Sequence, residues 1–358
     1  MRKEPIVTFP RWGNCTVVFK NFFEELGLKV ISPEKTTSKT ISDGAKISPD
    51  MYCFPLKVTL GNYLPALKKG ANTIIMIANA GGSCRQRYYG DIQKKALLDN
   101  HIEVNFVTLR LTPKGIYTSV KELSNASSAM IIKAAKSFLQ RLRFIENLEK
   151  KASYLRPRES RKGETDKILQ ESFLKLENTS GNKDFLKLKK ETFKKISEIK
   201  IDKNKNVLRV GLVGEIYTVC DPTINFNIEQ KLGEEGIEVF REMNISYHLK
   251  KGIFPWKDKK IQKEIMPHLK STVGGHGRDA IYEMMRYIRE DFDGVIQLLP
   301  FGCMPETTIR PILEKLHKES GIPFLSLSID EQVAEAGINT RIEAFVDVAK
   351  NYNEKKKK

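Results

Sequence analysis

The chain has 358 residues, 40% hydrophobic and 29% charged, with 61 Lys and Arg against 44 Asp and Glu for a net charge of +17. This is a globular composition, long enough for two or three domains and a sizeable core. No apolar run reaches the ~18 residues of a membrane-spanning helix. The N-terminal segment lacks the apolar stretch of a signal peptide, so a cytoplasmic protein is expected.

The first third alternates strand and helix. Ile6–Phe9 reads as a short strand, Phe19–Leu26 as an amphipathic helix closed by Gly27, and Leu28–Ile31 as a second strand. Thr36–Gly44 reads as a short helix ended by Gly44, and Leu56–Lys69 as a longer one. Thr73–Ala78 is a continuous apolar run suited to a central parallel strand. Arg85–Asn100 is helical in pattern and Val104–Leu109 is a further strand. From about 114 to 201, Lys, Glu and Leu dominate and several long helices are predicted, broken at Arg156–Gly163.

Alternation returns with strands at Val207–Val213, Glu238–Phe240, Gly294–Leu299 and Pro323–Ile329. Helices are predicted at Phe226–Glu235, Asp279–Glu290, Pro305–Lys318 and Thr340–Tyr352. The expected fold class is α/β: two lobes with parallel sheets flanked by helices, joined by a helical linker region. The expected divisions are 1–113, 114–206 and 207–358.

Three of the five cysteines sit in short turns rich in Gly or Pro: Ser48-Pro-Asp-Met-Tyr-Cys53-Phe-Pro-Leu-Lys57, Gly81-Gly-Ser-Cys84-Arg85 and Pro300-Phe-Gly-Cys303-Met-Pro305. Such turns let the backbone approach a bulky group closely. Cys84 and Cys303 fall just past the ends of predicted parallel strands, where open α/β sheets bind ligands. Cys53 falls at a predicted helix start, where the dipole favours a thiolate. An odd, scattered set of cysteines argues for reduced thiols rather than a disulfide framework. Three converging thiolates suit a soft-metal centre such as an iron–sulfur cluster. No C-x-x-C pair and no ferredoxin-type run is present, so three inert buried thiols fit these residues as well.

Other candidates have plainer alternatives. Gly274-Gly-His-Gly277 opens a helix and forms a phosphate cradle or a simple turn; no Lys-Ser/Thr follows, so it is not a P-loop. His276 within it is a weak catalytic candidate or an ordinary loop histidine. Glu215, past a strand, is a weak candidate for proton transfer or a polar strand-end residue. Glu306, at a helix start, serves the helix dipole. Arg341 and Glu343 are expected to share one network around the last helix. Cys15 and Cys220 are taken as structural. No Ser–His–Asp order or H-E-x-x-H supports a hydrolase. The positive charge, concentrated at about 133–205 and at Lys355–Lys358, reads first as a solvated lysine-rich surface. A nucleic-acid groove and a docking face for an acidic protein or a CoA-like phosphate are the alternatives.

Several strings together resemble the 2-hydroxyacyl-CoA dehydratase superfamily, and in particular its shorter branch of CoA-substrate-specific enzyme activase-related proteins. They are Phe9-Pro-Arg-Trp-Gly13, Cys53-Phe-Pro-Leu-Lys57 with Gly61-Asn62, Gly81-Gly-Ser-Cys-Arg85 with Tyr88-Tyr-Gly90, and Gly211-Leu-Val-Gly-Glu-Ile-Tyr217. Further strings are Pro300-Phe-Gly-Cys-Met-Pro305, Asp330-Glu331, and Ala336-Gly-Ile-Asn-Thr-Arg-Ile-Glu-Ala-Phe345. They cover both lobes and omit the helical middle.

The resemblance implies two α/β lobes holding a [4Fe–4S] cluster, or a double-cubane relative of it, through Cys53, Cys84 and Cys303. One iron is then left without a cysteine ligand. It further implies an ATP-hydrolysing iron–sulfur activator protein as electron donor, and a homodimer or a pairing with a related dehydratase-type subunit. The activity implied is that of a lyase on an acyl-CoA or of a cluster-dependent reductase. A non-catalytic electron-transfer or accessory subunit is the alternative.

Overall fold

A computed structural model describes residues 4–78, 84–110, 112–179, 181–254, 256, 258–271 and 273–357. Gly81-Gly-Ser83 of the second cysteine stretch lies outside the described residues.

Two four-stranded parallel sheets carry the chain. The first has strands β1 (Ile6–Thr8), β2 (Lys29–Val30), β3 (Thr73–Ala78) and β4 (Asn105–Arg110), in the order β2-β1-β3-β4. The second has β5 (Leu208–Gly214), β6 (Ile237–Phe240), β7 (Gly294–Pro300) and β8 (Phe324–Ile329), in the order β6-β5-β7-β8. The same winding therefore occurs twice, a repeat that no short sequence similarity announces. In each sheet the chain runs outward from the first strand to one neighbour, then returns to the other side. The crevice beside the first and third strands is the point where ligands collect in such sheets.

Strand composition follows from position. β7 is buried on both faces along its whole length, as a central parallel strand must be, and its residues are nearly all apolar. The edge strand β2 is only two residues long, which limits exposed pairing edge.

Helices Pro113–Leu123, Ser128–Leu155, Glu164–Glu177 and Asn182–Glu198 form the middle. The long helix Ser128–Leu155 ties both lobes together. Phe138 packs edge-on against Phe19 and Phe22 of the first lobe. Ser153 accepts from the backbone N–H of Val239 in β6 at 3.0 Å. In Asn182–Glu198, Phe185, Leu188, Thr192 and Ile196 face inward at helical spacing. Lys183, Lys187, Lys190 and Lys194 are exposed. The lysine-rich stretch is thus the solvated side of an amphipathic helix.

The structure corrects several boundaries. The first helix begins at Thr16, and the last runs from Glu335 to Lys356. Two further helices, Ile245–Ile253 and Asp258–Ile265, fill a stretch left unassigned from sequence. Gly44 does not close its helix, which spans Ser38–Ile47. It lies instead where that helix crosses Phe54–Lys68. A Cβ on Gly44 would stand 2.0 Å from the Lys57 carbonyl oxygen, and one on Gly61 1.9 Å from that of Thr40. Phe226 and Asn227 take left-handed backbone angles, and their helix starts only at Ile228. Arg341 and Glu343 are both exposed, and among the described residues neither joins an ion pair.

Candidate functional site

The repeat fixes the chemistry-bearing residues. Trp12 follows β1, and Tyr217 follows β5. Cys84 follows β3, and Cys303 follows β7. Cys53 sits at the N-terminal cap of helix Phe54–Lys68, and Cys303 at that of helix Met304–Ser320. Pro at the second position of each helix costs no hydrogen bond there.

The lobes meet through these segments. The Phe54 N–H donates to the Phe301 carbonyl at 2.9 Å. Gly302, at φ +74°, lets the third cysteine turn lie against Tyr52 and Cys53; a Cβ there would come within 3.1 Å of the Tyr52 carbonyl oxygen. The Tyr217 hydroxyl donates to Asn62 Oδ1 at 3.0 Å, and Lys57 pairs with Glu331. Every one of these contacts joins stretches that sequence singled out.

Cys53, Cys84 and Cys303 consequently line one cavity, together with Trp12, Tyr217 and Glu215. Its atom-free space is about 410 Å³, the mouth included. Three soft donors that are 31 and 219 residues apart in sequence thus share one enclosure. Among the described residues, no three His, Cys, Asp or Glu side chains stand close enough to hold a single metal ion.

Burial raises all three thiols above the usual cysteine value. Cys84 is pushed up to about 11, with the neighbouring Glu215 and Cys53 adding to the effect of burial. For Cys303 the direction is the same, from burial first and then from Glu306. For Cys53, burial is opposed by a hydrogen bond with the Tyr89 hydroxyl, whose oxygen lies 2.7 Å from Sγ. Arg85 also favours the Cys53 thiolate. Its guanidinium donates to the Met51 carbonyl at 2.7 Å and lies over the Tyr52 ring. Backbone N–H groups of Gln86 and Glu306 donate to Cys84 and Cys303. A cation bound here would offset that burial and draw off the thiol protons.

Glu215 caps the short helix Ile216–Cys220. Its carboxylate accepts from the N–H groups of Tyr217 and Thr218 at 3.0 and 2.9 Å and from the Thr218 hydroxyl at 3.0 Å. Burial raises it, and these donors pull it back. Glu306 differs from the dipole partner expected. It is fully buried, accepts from Gln297 Nε2 at 2.9 Å, and is pushed up to about 8 by burial.

His276 lies apart from the cavity lining. It precedes helix Gly277–Arg289, and its Nε2 is 2.9 Å from Nδ1 of His248. Its neighbour Gly275, at φ +60°, touches the site: a Cβ there would lie 3.7 Å from Cys84 Sγ. Sequence reasoning missed Trp12, Tyr89 and Tyr217 as site walls, although all three stand in the strings that carried the resemblance. Cys15 is buried away from this cavity, and Cys220 is half-buried.

Two family models match parts of the chain. Residues 13–76 match the CoA enzyme activase uncharacterised domain (DUF2229), and residues 262–348 match the 2-hydroxyglutaryl-CoA dehydratase, D-component. No curated protein matches the chain. The first match carries Cys53 and the second Cys303 and His276, while Cys84 and Glu215 fall between them. The two matches fall one in each lobe, and over those residues the chain is similar to 2-hydroxyacyl-CoA dehydratase and activase-related proteins.

Proposed function

We propose that the chain is an iron–sulfur protein of the 2-hydroxyacyl-CoA dehydratase type, with Cys53, Cys84 and Cys303 holding a [4Fe–4S] or double-cubane cluster. The observation that carries this reading is the meeting of three thiols, from three distant turns, in one cavity between two parallel sheets. The donor set fits. Thiolates are the usual ligands of such clusters, and a cluster offers each thiolate its own iron.

When bound, the cluster would supply one-electron chemistry at low potential. The chain's own residues have definable parts in it. Trp12, Tyr217 and Met76 wall the cavity against water. Tyr89 fixes the Cys53 side chain, and the Gln86 and Glu306 N–H groups donate to sulfur, which tunes a cluster's potential. Arg85 offsets negative charge beside Cys53.

Electron delivery needs a partner at close range. Met51, Tyr88, Phe301 and Met304 flank the cysteines in sequence and are exposed large apolar side chains, the kind of surface on which a protein docks. We assign it to an ATP-hydrolysing activator.

A second reading is an electron-transfer or accessory subunit with no substrate of its own. It draws on the small size of the same cavity, which leaves little room for an acyl-CoA beside a cluster. Anaerobic reconstitution followed by electron paramagnetic resonance, then an activator-dependent ATPase assay with and without acyl-CoA, tests both. A cluster signal with acyl-CoA turnover supports the catalyst, and a signal without turnover supports the carrier. Absence of any cluster signal after anaerobic reconstitution rejects both.

A further inference from the structure

A second and larger cleft has about 2250 Å³ of atom-free space, mouth included. It is bounded by the loop after β1, by residues 219–230, and by helix Glu164–Glu177. Most charges in it already have partners. Arg241 pairs with Glu149 at 2.9 Å and with Glu229 at 2.6 Å, and Arg156 pairs with Asp166 at 2.8 Å.

Two groups do not. Asp221 is 1% exposed; its Oδ1 accepts from the Thr223 N–H at 2.9 Å, and the Gly13 N–H and Thr223 side chain also favour its carboxylate, while Oδ2 is buried without a hydrogen-bond partner. Arg11 Nε is likewise buried without a partner, and among the described residues its guanidinium makes no ion pair. The two feel each other, since Arg11 counteracts the upward push of burial on the Asp221 carboxyl, yet they are not in ion-pair contact. Backbone packing keeps them in place. Gly13, at φ +50°, allows the two loops to touch; a Cβ there would stand 2.7 Å from the Cys220 carbonyl oxygen.

A buried carboxylate with one unfilled oxygen and a guanidinium outside any ion pair line one cleft, and such groups are costly unless something joins them. A simple anion would serve Arg11 and repel Asp221. A simple cation would do the reverse. Only a molecule with both charges satisfies both. We infer that this cleft binds a small zwitterion, a free α-amino acid or dipeptide by chemical class, with its carboxylate on Arg11 and its ammonium on Asp221. Leu169, Phe173 and Val219 line the cleft nearby and offer apolar surface to its side chain. The inference does not depend on the thiol cavity holding a cluster.

The test is thermal unfolding of the full chain with each of the twenty amino acids and a set of dipeptides, followed by titration of any that act. At least one raises the midpoint in a concentration-dependent way. Its N-acetylated and amidated forms, each lacking one charge, do not. Arg11→Gln and Asp221→Asn each weaken binding at least about tenfold, the loss of one charged hydrogen bond. Gln170→Trp, on an exposed helix position lining the cleft, blocks it without touching either charge and covers the case in which those variants fail to fold. No shift with any zwitterion, an equal shift with the acetylated or amidated forms, or unchanged binding in Gln170→Trp overturns the inference.

Discussion

Trp12 and Tyr217 meet edge to face, with ring centroids 5.5 Å apart. They follow the first strand of their respective sheets and so occupy matching places in the repeat. Both line the thiol cavity. The contact also pins one lobe to the other, because Tyr217 reaches on to Asn62, whose Nδ2 donates to Thr36 at 3.0 Å.

Tyr217→Phe keeps the ring contact and removes only the hydroxyl. Asn62 Oδ1 is then left buried without its donor. Denaturant unfolding of the variant is expected to show a loss of about 1–3 kcal/mol. Trp12→Ala, which empties the wall itself, is expected to cost about 3–5 kcal/mol in the same measurement.

Gly44→Ala and Gly61→Ala each drive a methyl group into backbone on the facing helix, not into a flexible side chain. The crossing cannot yield without moving helix Phe54–Lys68, whose first cap is Cys53. Each change is expected to cost ~3 kcal/mol or more, the upper end for overpacking. Calorimetry checks the loss of stability. A neutral result would mean the crossing is looser than described.

The His248–His276 pair gives a pH dependence of definite sign. Burial lowers His248 from the ordinary value near 6.5 to about 4 and lowers His276 well below that ordinary value too, with Lys251 adding to both shifts. The folded state therefore binds fewer protons than the unfolded one between those values. Stability from this pair is complete above pH 6.5 and drains away as pH falls toward 4. Each histidine contributes a slope of up to about 1.4 kcal/mol per pH unit. Stability curves of wild type and His248→Asn, compared across that window, should differ by a slope of this sign. Parallel curves would show that His248 does not titrate differently on folding.

Much of the molecule was legible in the sequence where one physical cause dominated. The apolar run Thr73–Ala78 suits a central parallel strand and Gly294–Leu299 reads as a strand, and the cysteines that follow them could then be placed at strand ends. Where two causes use the same residue, sequence misled. Gly44 looks like a helix end because glycine ends helices, yet here it allows two helices to cross. Glu306 looks like a partner for a helix dipole because it stands in a first turn, yet β7 and its Gln297 enclose it. Residues 245–265 escaped notice because Gly252 and Pro255 interrupt their periodicity. The double winding of the sheets was hidden because it is a likeness of topology, with no shared string to betray it.

The account rests on sulfur from three turns acting as one ligand set, and iron content measured position by position tests that directly. Protein purified without oxygen is assayed for iron and acid-labile sulfide as wild type and as Cys53→Ala, Cys84→Ala, Cys303→Ala, Cys15→Ala and Cys220→Ala. The expected result is iron and sulfide in the wild type, sharp loss in the first three variants, and retention in the last two. Wild-type protein free of iron, or variants at 53, 84 and 303 that keep it in full, would contradict the account.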